Sequence, residues 1–161
     1  MADGSVQVYY GEGRGKSPAA LGRAIRAASE GKTVFIIQFL KGKSDGQMEF
    51  LRRLEPEIKF FRFEKSEEYY NALSAEEQHE EGKNIKNGIN FARKVLATGE
   101  CDLLILDEVL GIVDHGLIEV EELIGLVKAR LDDMDLILTG WVLPERLRGH
   151  IDEIYHLIPE N

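Results

Sequence analysis

Three alternating glycines followed by a lysine and a serine form the first stretch with chemical content: Gly11-Glu12-Gly13-Arg14-Gly15-Lys16-Ser17. Residues without a Cβ let the backbone turn successive amide N–H groups inward toward an anion. Lys16 adds a mobile positive charge, and the Ser17 hydroxyl is a ligand type for a phosphate-bound Mg²⁺. The chemistry expected of such a loop is the binding of a nucleoside triphosphate, ATP, as its magnesium complex. Spacing qualifies that expectation. The pattern G-x-x-x-x-G-K-[ST] requires glycine at position 10, where Tyr10 stands. The segment from Gly11 is one residue shorter and presents its amides differently from the loop of an ordinary kinase or GTPase. A flexible turn is the structural alternative.

A second signal lies downstream, where the apolar run Leu103-Leu104-Ile105-Leu106 ends in Asp107-Glu108. In open α/β sheets ligands bind beyond the carboxyl ends of the strands, and a carboxylate there holds Mg²⁺ directly or through water. Ser17, Asp107 and Glu108 are therefore the expected metal ligands; two acids solvated at a strand-to-loop turn are the alternative. No side-chain nucleophile or general base is expected. His79, His115, His150 and His156 are scattered, and they form no Ser/His/Asp or Cys/His set.

These residues need a strand before the loop, a helix after it and a buried strand before the acids. Ser5 to Tyr10 alternates as a strand, and Leu21, Ala24, Ile25 and Ala28 give the following helix an apolar face. Gly31-Lys32 stops that helix, and Thr33 to Phe39 reads as a strand buried on both faces. A polar loop at Lys41 to Gly46, a short helix from Met48 to Leu54 and a strand from Ile58 to Phe63 follow. The acidic stretch Ser66 to Glu81 is irregular until Ser74-Ala75-Glu76-Glu77 starts a helix that runs to Leu96, before Gly99. After the Asp-Glu strand, one amphipathic helix is expected over Gly116 to Arg130 on Leu117, Val120, Leu123, Ile124 and Val127. A fifth strand from Asp135 to Thr139, a turn at Gly140, a short helix from Pro144 to Arg148 and a last strand from Glu153 to Ile158 complete the series. Strands alternating with helices predict a three-layer α/β/α sandwich around a mostly parallel sheet.

With 161 residues and ordinary apolar and charged fractions, the chain is expected to form a single domain over 1–161. A net charge of −9 without a basic tract argues against nucleic acid as a partner. The single cysteine, Cys101, excludes an intramolecular disulfide, and no apolar leader or membrane-length segment is present. A reducing cytoplasm is the expected location, with no membrane partner.

Several stretches together resemble the P-loop type of ATP:corrinoid adenosyltransferase, the cob(I)alamin or cob(I)yrinic acid a,c-diamide adenosyltransferases. They are the short loop Gly11 to Ser17, Gln38-Phe39-Leu40-Lys41-Gly42, Gly99 to Glu108, Gly116-Leu117-Ile118 with Glu121-Glu122, and Leu136-Ile137-Leu138-Thr139-Gly140. The resemblance implies a P-loop, RecA-like nucleotide-binding fold and a homodimer. It also implies a reaction in which Co(I) of a reduced corrinoid attacks the 5′ carbon of ATP and triphosphate leaves. Gly11, Glu12, Gly13, Arg14, Gly15, Lys16 and Ser17 would bind the nucleotide, with positioning and charge neutralisation as their task. No corrinoid-contacting residue is assigned. Where the family commonly has Thr or Ser, this chain has Pro18, which lacks an N–H and disfavours a helical Ser17. Trp141 stands where Arg is common, and the segment after Phe63 carries Tyr69-Tyr70 in place of a Gly-Phe-x-Trp type segment. Two other readings remain open: a nucleotide-binding module acting as a regulator, and an ordinary P-loop phosphotransferase or ATPase.

Overall fold

The apolar runs fold as β1 (Val6–Tyr10), α1 (Lys16–Ser29), β2 (Val34–Gln38), α2 (Gln47–Leu51), β3 (Ile58–Arg62), α3 (Ala75–Thr98), β4 (Leu103–Asp107), α4 (Val109–Asp114), α5 (Val120–Ala129), β5 (Asp135–Gly140) and β6 (Glu153–His156). The computed structural model describes residues 3–40, 47–66 and 68–161, with the backbone alone at 47 and 48. The polar loop expected over 41–46, including Lys41 and Gly42, lies outside the described residues.

The sheet has six strands in the order β3-β2-β4-β5-β1-β6, and every pairing is parallel. Parallel strands need covering on both faces, and the pleat divides their side chains accordingly. Tyr9, Val34, Ile36, Leu103, Ile105 and Ile137 pack with Ala20 and Ala24 of α1. Val6, Val8, Ile37, Leu104, Leu106, Leu136 and Leu138 pack on the opposite face against α3, α4 and α5. The three-layer α/β/α arrangement follows from these two cores.

Three elements differ from expectation. The apolar face of α1 is narrower: Ala20 and Ala24 are buried, whereas Ile25 is half exposed, because small residues let the helix lie close to the sheet at that point. The helix expected over Gly116 to Arg130 starts only at Val120, as α5, and it is preceded by a short α4 over Val109–Asp114 that was not expected. Gly116 adopts φ +73°, its N–H donates to the Val113 carbonyl, and Leu117 N–H donates to the Ile112 carbonyl. This Schellman closure ends α4 and takes Leu117 out of any helix. Lastly, Gly140 is the buried final residue of β5 and not a turn. A Cβ there would fall 2.3 Å from Leu110 Cβ, so glycine lets α4 approach the strand.

Candidate functional site

β1 delivers the chain to Gly11, where φ is +128° and the N–H donates to the Gly140 carbonyl at 3.1 Å. A Cβ at Gly11 would meet the Leu157 carbonyl oxygen at 2.3 Å, so the position requires glycine on both counts. Gly13 N–H donates to that same Leu157 carbonyl at 3.3 Å, and Leu157 N–H donates to the Tyr10 carbonyl at 2.8 Å. The segment after β6 is thus the floor under the loop. Gly13 N–H points to that floor, which leaves the inward-facing role expected of the loop amides to its neighbours.

Glu12, Arg14 and Gly15 are exposed. Lys16 turns the other way: only 6% exposed, its Nζ donates to the Gly11 carbonyl at 2.7 Å and the Gly13 carbonyl at 2.9 Å. The ammonium also lies 4.9 Å from the centre of the Trp141 ring. Ser17 is helical despite Pro18, contrary to the expected effect of a following proline. Pro18 is the third residue of α1, where an N–H has no intrahelical acceptor and the ring is tolerated.

The Ser17 hydroxyl donates to Asp107 Oδ1 at 2.8 Å, which joins the two distant motifs. β5 lies between β1 and β4, and its Thr139 completes the junction. The Thr139 hydroxyl donates to the same Oδ1 at 2.7 Å and accepts from Glu108 N–H at 2.8 Å. Thr139 and Asp107 are both buried. Glu108 sits at φ +65°, the sharp turn that starts α4, and its carboxylate lies over Gly111, where a Cβ would fall 3.0 Å from Oε1. Ser17 and Asp107 are therefore together, with Glu108 at their flank facing α4.

Two hard oxygen donors at the mouth of a glycine loop suit Mg²⁺, which is ordinarily held by one or two carboxylates together with phosphate oxygens and waters. Among the described residues no group of three His, Cys, Asp or Glu side chains gathers to form an all-protein cage. Burial pushes the Cys101 thiol up to about 12, which keeps it protonated. Sequence reasoning singled out neither Thr139 as a hydroxyl bridge nor Leu157 as a floor. A threonine ending the apolar run Leu136-Ile137-Leu138 was a signal for the first; nothing local marks the second.

Sheet order, glycine loop and the acid at the end of β4 define a P-loop α/β domain of the RecA-like kind. A KaiC-like protein of Pyrococcus horikoshii superposes on the whole chain with a TM-score of 0.62 at 15% identity, covering 76% of that structure. The family described as ATP:corrinoid adenosyltransferase BtuR/CobO/CobP matches residues 2–158, and the chain belongs to it. A corrinoid adenosyltransferase of Pseudomonas aeruginosa is 28% identical over 144 residues, 85% of this chain and 66% of the relative. An uncharacterized protein of Nostoc sp. is 30% identical over 158 residues, 89% of this chain and 41% of that protein. The chain thus spans two fifths to two thirds of these relatives.

Proposed function

We propose that this chain transfers the 5′-deoxyadenosyl group of ATP to Co(I) of a corrinoid and releases triphosphate. The observation that carries the reading is the junction of Ser17, Asp107 and Thr139 beside a glycine loop one residue shorter than usual. Membership of the adenosyltransferase family supports the chemistry. In the step itself the cobalt electron pair forms the Co–C5′ bond while the C5′–O bond breaks and its electrons leave with the triphosphate. The nucleophile is supplied by the corrinoid, so this reading requires none from a side chain.

The protein's task is then positioning and charge. Lys16 and the amides at the start of α1 meet the triphosphate, where the helix dipole adds to their pull. Thr139 fixes the Asp107 carboxylate so that it does not reorient as charge develops. Ser17 and Asp107 would hold Mg²⁺, which when bound supplies neutralisation of the departing triphosphate. We place the protein in a reducing cytoplasm as a homodimer; the buried, unpaired Cys101 is consistent with the first. Among the described residues no helix is long and apolar enough to cross a membrane.

The deciding experiment supplies chemically reduced cobalamin and MgATP without air. A light-sensitive Co–C absorbance and inorganic triphosphate are the expected products. ADP without alkylcobalamin would favour a phosphotransferase or ATPase instead.

A further inference from the structure

Lys16 has three N–H donors, and the loop carbonyls of Gly11 and Gly13 take two of them. The remaining side of the ammonium faces the Trp141 indole at 4.9 Å, inside the roughly 6 Å range of cation–π attraction. Lys16 is 6% exposed, so this contact is desolvated on the lysine side. The indole itself is 57% exposed and its neighbour Val142 is 53% exposed, so burial in a core does not explain where the ring sits. The backbone does. Gly140 pairs with Tyr10 across β5 and β1 and accepts from Gly11 N–H, so the next side chain is delivered beside the loop.

We infer that Trp141 is the positioning residue of Lys16: its ring flanks the ammonium and holds it at the loop, where an incoming triphosphate takes the place of the loop carbonyls. The inference rests on the reading of the loop as a triphosphate cradle. A neutral ring suits this purpose better than an acid, because a carboxylate at 141 would cancel the lysine charge and repel the ligand. The π face restrains the long flexible side chain and leaves its full charge for phosphate.

Trp141 is the only tryptophan in the chain, so its emission reports on the contact directly. Magnesium tripolyphosphate and MgATP are titrated into the wild-type protein with calorimetry and fluorescence in parallel. The emission should change saturably at the calorimetric midpoint, and Lys16→Met should shift the emission of the unliganded protein. Trp141→Ala should weaken tripolyphosphate binding about three- to tenfold, while Trp141→Phe, which keeps an aromatic face, should stay within about twofold of wild type. Equal affinities for Trp141→Ala and wild type, or equal losses in the Ala and Phe variants, would overturn the inference. Heat of binding with unmoved emission also removes it alone. Absence of binding heat in the wild type removes the cradle reading and this inference with it.

Discussion

A single hydroxyl ties the acidic end of β4 to β5. Thr139 is fully buried, donates a hydrogen bond to Asp107 and accepts one from Glu108 N–H. Thr139→Val keeps the shape and removes both bonds, leaving a buried amide and carboxylate short of partners. The expected loss is about 1–3 kcal/mol of unfolding free energy, with most of it recovered in Thr139→Ser. Urea denaturation of the three proteins measures it. At this scale the sequence was informative where chemistry is local: Lys16, Ser17 and Asp107 are recognisable by residue type and neighbours. Thr139 matters because β5 lies between β1 and β4, a property of strand order that no short window contains. Glu108 shows the same limit, since its carboxylate turns toward α4 only because α4 starts there.

Elements were legible in proportion to their periodicity and their end signals. α3 is the clearest: Ser74 accepts from Glu77 N–H, and the Glu77 carboxylate reaches back to Ser74 N–H, a capping box readable from the sequence alone. Ser74→Ala should cost about 0.5–2 kcal/mol of stability, read as a lower denaturation midpoint. Its pH dependence has a defined sign. The bond from Ser74 backbone N–H, with the Ser74 side chain second, holds the Glu77 carboxyl below its ordinary 4.5. The contribution is therefore present above pH 4.5 and lost as pH falls from there through the depressed value. Wild type and Glu77→Ala should therefore draw together in stability on acidification, whereas Ser74→Ala keeps the backbone N–H that bonds the carboxylate. The irregular stretch before this helix resisted reading because its organiser is a buried acid. Glu81 accepts from Lys65 N–H, Ser66 N–H and Asn84, and nothing in the residue types of an acidic run marks which acid is buried. α4 was missed for a different reason: its six residues are too few to establish a helical period.

The whole molecule was read correctly at the level of class because alternating strands and helices admit few arrangements. The strand order and the close contact between the glycine loop and the far end of the sequence were not legible, since both depend on pairings between distant segments. That contact has a consequence for synthesis. Gly11 and Gly13 are made well before Leu157, whose carbonyl underlies them. Contacts of such separation form late, after the loop-closure entropy of the long intervening segment has been met. On the ribosome the motif therefore emerges long before it acquires its shape. A nascent chain stalled with β6 still inside the exit tunnel should leave Gly11 to Ser17 open to protease and unable to retain MgATP. Advancing the stall until Ile158 clears the tunnel should protect the loop. Protection already complete in the shorter chain would mean that the loop holds its form without its floor.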